Sequence, residues 1–227
     1  MKQEKIRVIY FTDPICSSCW TVEPQLRKLL VEYGDNIALE YHMGGLLPSW
    51  DMFTSGPISK PADVGRLWDE LGDHSEMPID GEVWRADPLP SSYPPCRAYK
   101  AAELQGMENA SRFLRRIREM VMVENKNITR LDHLRQAAVD SGLDAARFAD
   151  DYDSRSQQLF QKDLELRAHT ASEDSQPYSL STARRIRSWC TVQSRMRITK
   201  RPFDNSRLPL TKSRRLREEI CLTVTLH

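Results

Sequence analysis

The chain has 227 residues, a formal net charge of +1, and 40% hydrophobic and 29% charged residues. That length and balance suit one globular domain carrying an insertion, or two small ones, and exclude disorder throughout. No stretch approaches the roughly 18 apolar residues of a membrane-spanning helix, and the opening MKQEKIRVIYFTDP lacks a signal-peptide core, so the expected compartment is the cytoplasm.

Lys5–Phe11 (KIRVIYF) is predicted as a buried strand from its β-branched and aromatic content. Asp13-Pro14 punctuates it, and CSSCWTVEPQLRKLLVEYG follows as a helix closed by Gly34 and kinked at Pro24. Asn36–Met43 is a second strand, so the opening is β-α-β with the two strands parallel. From Leu46 to about Pro95 the chain is irregular and rich in Pro and Trp, with one short helix around Pro61–Leu71. Helices are then predicted over Pro95–Gln105, Asn109–Glu124, Thr129–Ser141, Asp144–Tyr152 and Arg155–Arg167. Thr129 and Asp144 read as helix starts, and Gly106 and Gly142 as stops.

The strongest chemical signal is Cys16-Ser17-Ser18-Cys19, placed directly after a strand and opening a helix. Helix N-terminal amides and the macrodipole favour an anion there, which lowers the first thiol's pKa. A spacing of three puts Cys19 on the same helical face, within reach of a mixed disulfide at Cys16. Cys16 is thus expected to be the exposed nucleophile and Cys19 the resolving thiol. Neither Ser17 nor Ser18 supplies a cation or a proline constraint, so the direction of redox poise stays open. Two plainer readings compete: half a zinc site completed by His42 or Cys96, or a pair of inert buried thiols. The strand–turn–helix context argues against both, and no metal and no dissociable cofactor are expected.

Other candidates carry less. Trp20, Trp50, Trp68 and Trp84 line either a groove or, more plainly, a core. His42 is expected to be a satisfied structural histidine and Cys96 a packed thiol. Arg112, Arg115, Arg116 and Arg118 read as a solvated basic face of a helix whose apolar residues include Phe113, Leu114, Ile117 and Val121. Glu23 reads either as an aid to proton transfer from Cys19 or as an exposed helix charge.

Composition breaks near residue 168. Residues 1–167 carry a net charge of −6 and residues 168–227 a net charge of +7, and all nine glycines lie at or before Gly142. The tail shows little periodicity apart from a short strand at its end. A basic nucleic-acid-binding extension, a disordered tail and an out-of-frame translation product are the competing readings.

FTDPICSSCWTVEPQLRKLLVEYG resembles the start of a DsbA-family, thioredoxin-fold protein. MGGLLPSW, DGEVWRADPLPSSYPPCRAYKAAELQG and FLRRIREMVMVENKNITRLDHLRQAAVDSGLD resemble one branch of it, which contains cytoplasmic dithiol-disulfide isomerases and the adapter that delivers the Spx regulator to the ClpXP protease. The resemblance covers about residues 5–167. It implies an α/β, thioredoxin-like fold of the DsbA type with a helical insertion: a β-α-β part over 1–46, the insertion over 47–155 and a return helix over 156–167. It implies redox cysteines at Cys16 and Cys19 and protein thiol or disulfide substrates. Its other implied role is an adapter binding a regulatory protein and ClpXP; nucleic-acid and membrane partners are not implied. A glutathione-using isomerase on this fold typically has Ser where Cys16 stands.

The family next shows a cis-proline loop such as Gly-Val-Arg-Gly-Phe-Pro-Thr, then two antiparallel strands and a helix. Residues 168–227 contain none of these, and Pro177 lacks the loop's neighbours. When each triplet is taken from the third base of one codon, the codons available to residues 171–179 accommodate Gly-Val-Arg-Gly-Phe-Pro-Thr-Leu-Phe. A frameshift just after Leu166 is therefore expected, with the C-terminal β-β-α part missing or scrambled, the tail poorly ordered and an open sheet edge left behind. Nucleotide sequencing across codons 160–190 tests this: one base gained or lost should restore the Gly-Phe-Pro-Thr loop, and an intact written frame would refute it.

Overall fold

A computed structural model of the chain describes residues 5–53, 58–174 and 219–223. Strand β1 (Ile6–Thr12) is central, flanked by β2 (Ile37–Met43) and β3 (Glu219–Thr223) in the order β2-β1-β3. Both pairings are parallel, with Phe11 opposite His42 on one side and opposite Thr223 on the other. Val8 to Thr12 are all buried, as the continuous apolar run of a doubly covered parallel strand requires. The tail thus supplies one described strand, β3, which pairs with β1. It is parallel, unlike the antiparallel strands that the resemblance implies. Pro177 and most of the tail lie outside the described residues.

Between β1 and β2 the helix is broken into α1 (Ser17–Thr21) and α2 (Glu23–Tyr33) at Val22. Pro24 causes the break: it lacks an N–H and is tolerated only in the first turn of a helix, where α2 places it.

The remaining helices are α3 (Pro61–Gly72), α4 (Val83–Ala86), α5 (Tyr93–Glu103), α6 (Met107–Met122), α7 (Leu131–Asp140), α8 (Ala145–Ser154) and α9 (Ser156–Asp174). Asp144 caps α8 by accepting from the Arg147 N–H, as expected. Thr129 does not cap α7, which starts after Arg130. Gly106 stands at the start of α6 rather than only ending α5, with φ +107. The single turn α4 carries no periodic signal and was not predictable.

These helices build the larger part of the core. Trp68 and Trp84 are fully buried edge to face, 5.3 Å between ring centroids, and Trp50 meets Trp84 at 6.1 Å. Phe113, Ile117, Met120, Phe148 and Phe160 close the rest, so the tryptophans serve packing.

One buried carboxylate ties α9 to the sheet. Asp163 accepts from the Met43 N–H (2.8 Å) and pairs with His42 Nδ1 (2.8 Å) and with Lys100 Nζ of α5 (3.1 Å). His42 is thereby a structural residue on its Nδ1 side, as expected. Gly45 lets the chain leave β2 under this helix: its φ is +60, and a Cβ there would come within 2.8 Å of Leu164 Cδ2. Asp163→Ala would leave the buried Lys100 with only Glu103 and strand the Met43 N–H. It is expected to lower stability by about 3–5 kcal/mol, read as a shift of the urea midpoint.

Candidate functional site

Cys16 and Cys19 stand where β1 gives way to α1, disulfide-bonded with their Cα atoms 5.2 Å apart. Cys16 is the N-cap of α1, and its sulfur accepts from the Cys19 N–H at 3.2 Å. Its own N–H donates to the Asp13 carbonyl at 3.1 Å. An amide aimed at the first sulfur stabilises a thiolate there, because a charged acceptor gains more from the bond than a neutral one. The exposed nucleophile expected at Cys16 is instead buried: Cys16 is 5% exposed and Cys19 2%. The Cys16 sulfur is turned toward the Cys19 N–H and bonded to the Cys19 sulfur.

Asp13 organises the ground beneath the pair. Its carboxylate accepts from the N–H of Ile15 (3.1 Å) and of Leu46 (2.7 Å), from the Ser92 hydroxyl (2.9 Å) and from the Cys96 thiol (3.3 Å). Burial pushes the Asp13 carboxyl pKa up, opposed by these four donors. Burial, with the Asp13 charge next, likewise holds Cys96 in the thiol form, well above an ordinary cysteine. Cys96 is therefore a packed thiol. It does not join Cys16 and Cys19 in a zinc site, and His42 is engaged by Asp163. Among the described residues no group of three or more His, Cys, Asp or Glu side chains is arranged to hold a metal.

The basic face expected on α6 is corrected at one position. Arg118 is fully buried, with Nη1 donating to Glu23 Oε2 (3.1 Å) and Nη2 to Thr12 Oγ1 and to the Asp13 carbonyl (3.4 Å). Glu23, read as an exposed charge or a proton-transfer aid, is buried at 9% exposure and is the ion-pair partner of Arg118. The signal was available: Arg118 lies four residues after Leu114 and three before Val121, on the apolar face of α6. Arg112, Arg115 and Arg116 stay nearer solvent, with Arg115 lying 5.3 Å from the centre of the Trp20 ring. Trp20 itself is buried, and its indole N–H donates to the Pro78 carbonyl at 3.0 Å, which fastens α1 to the helical part.

The thioredoxin family model matches residues 10–172, which takes in the end of β1, the Cys-x-x-Cys turn, β2, every helix from α1 to α8 and nearly all of α9. The chain belongs to the thioredoxin family. Within that family it is similar to the ClpXP adapter protein SpxH of Halalkalibacterium halodurans, 38% identical over 68% of this chain and 51% of the relative. SpxH of Bacillus subtilis is 33% identical over 68% and 50%. The chain thus spans about half the length of the curated relatives it matches. Among solved structures, the cytosolic disulfide reductase DsbM of Pseudomonas aeruginosa superposes with a TM-score of 0.58 at 22% identity, covering 74% of this chain and 80% of that one. A Nitrosomonas europaea protein gives 0.64 at 23% identity over 74% and 80%. The fold is therefore thioredoxin-like with a large helical part, as the sequence led us to expect.

Asp13 is the member of this site whose loss is most directly readable. Asp13→Ala leaves the buried Ile15 N–H and the half-buried Leu46 N–H without acceptors, at about 1–3 kcal/mol for the buried one. Cys96→Ser keeps a donor to the carboxylate. Urea unfolding should show a large drop for the first and a far smaller one for the second.

Proposed function

We propose that the chain is a thiol-disulfide oxidoreductase or isomerase of the DsbA type, with Cys16 as the nucleophile and Cys19 as the resolving thiol. The observation that carries this reading is the Cys19 N–H aimed at the Cys16 sulfur at a strand-to-helix turn, within a thioredoxin fold. A Cys16 thiolate attacks one sulfur of a substrate disulfide; that S–S bond breaks, the other sulfur leaves as a thiolate, and a mixed disulfide forms. The Cys19 thiolate then attacks the Cys16 sulfur and expels the second substrate thiolate. The substrate gains two electrons and the pair becomes the disulfide; the reverse sequence oxidises a substrate dithiol. A reductase cycle draws its electrons from an external thiol, and no dissociable cofactor takes part. The substrates are protein thiols and disulfides. The compartment proposed for this activity is the cytoplasm; among the described residues no helix is long and apolar enough to cross a membrane.

A second reading rests on a separate observation: the curated relatives at 38% and 33% identity are ClpXP adapters. On that reading the same fold binds a regulatory protein and presents it to the protease, without thiol chemistry.

The readings separate on two substitutions. Under the first, Cys16→Ser abolishes reduction of insulin disulfides in the presence of a low-molecular-weight thiol, and Cys19→Ser accumulates a mixed disulfide visible on a non-reducing gel. Under the second, Cys16→Ser still accelerates ClpXP degradation of the regulatory protein as the wild type does. Unchanged disulfide reduction by Cys16→Ser would overturn the oxidoreductase reading.

A further inference from the structure

The Cys16 turn has no cation on its own helix: neither serine of the motif is charged, and α1 carries no basic residue in its last turn. The cation comes from elsewhere in the chain. Arg118, on α6, reaches the carbonyl of Asp13 with Nη2, and the same carbonyl accepts the Cys16 N–H. It also bonds Thr12 Oγ1 at the end of β1 and, through Nη1, Glu23 at the start of α2. One guanidinium thus touches the strand before the motif, the turn into it and the helix after it.

The position is costly for a charge. Arg118 is fully buried, Glu23 is its ion-pair partner, and among the described residues its Nε–H has no acceptor. A buried ion pair adds little net stability over an apolar replacement of the same shape. Packing alone therefore does not account for a guanidinium at this place, whereas its bond to the carbonyl that holds the Cys16 N–H ties it to the cysteine turn. In a low-dielectric surrounding a fixed positive charge favours a nearby thiolate, and a fixed negative charge opposes it.

We infer that Arg118 is a positioning residue of the Cys16–Cys19 centre, fixing the turn that carries Cys16 and lowering the energy of the thiolate formed there, while Glu23 offsets it. The inference rests on the oxidoreductase reading and adds its regulation: the helical part of the chain, through α6, sets the redox poise of a motif that the sheet presents. Arg118 favours the dithiol form, because stabilising the thiolate stabilises the reduced pair. Glu23 favours the disulfide.

Two readouts on the full-length protein test it: the rate at which iodoacetamide modifies Cys16 of the reduced chain as a function of pH, and the equilibrium of the pair with reduced and oxidised glutathione. Arg118→Met should slow Cys16 alkylation at neutral pH about tenfold, one unit of thiol pKa, and shift the glutathione equilibrium toward the disulfide by a similar factor, about 30 mV for a two-electron couple. Glu23→Gln should move both readouts the other way. Arg118→Lys, which keeps the charge, should restore most of the wild-type rate. A merely structural pair would move both readouts in one direction whichever partner is removed, and that result would overturn the inference, as would an Arg118→Met rate within twofold of wild type. If Arg118→Met does not fold, Glu23→Gln decides alone: faster alkylation supports the inference, and an unchanged or slower rate overturns it. A wild-type chain that exchanges no disulfides overturns the oxidoreductase reading instead, and the charge dependence of alkylation is still read independently.

Discussion

Asp13 can stay at 3% exposure at the end of β1 only if its two oxygens find donors, and the fold is arranged to bring four. Two are backbone N–H groups from the turn itself and from the loop after β2; two are side chains at the start of α5. The strand end, the Cys-x-x-Cys turn, the exit from β2 and the start of α5 are thus fixed by one carboxylate. Remove that constraint and the Cys16 turn has no reason to hold its sulfur against the α1 amide.

A second layer of buried charge surrounds the first. Arg118 and Glu23 bridge α6 and α2 beneath the motif, and Asp163 with Lys100 and His42 bridges α9, α5 and β2. The Arg118–Glu23 and His42–Asp163 links each join a residue of the small sheet or its crossover helix to one contributed by a later helix. Apolar packing holds the helices to one another, around Trp68, Trp84, Phe113 and Phe148. It is non-directional and does not by itself fix the turn that carries the cysteines. The directional bonds do, and their distances and angles leave little room for another arrangement.

The site therefore combines a sequence-local element and a long-range one. The local element is the thiol pair on a helix start, shared with thioredoxin-family proteins generally. The long-range element is the set of charges brought beneath it by helices about 100 residues further along the chain, as with Arg118 and Glu23 (95 positions apart).

Much was legible in the residues themselves. β1 and β2 announce themselves by β-branched and aromatic runs, Pro24 by its missing N–H, Asp144 by its capping carboxylate, and the Cys16–Cys19 spacing by what a redox pair demands, because each of these is decided by neighbours within a few positions. Asp13 was legible only as punctuation, Glu23 and Arg118 only as charges, and Cys16 as more exposed than it is. The distant partners of Asp13, Glu23 and Arg118 lie 33 to 106 residues away, and burial of a charge depends on where its counter-charge arrives. The sequence by itself determined the thioredoxin-type opening and the chemistry available at its cysteines. Only the tertiary structure decided which carboxylates and which guanidinium surround them, since ion pairing across separate elements is fixed by how those elements pack and leaves no period or spacing along the chain.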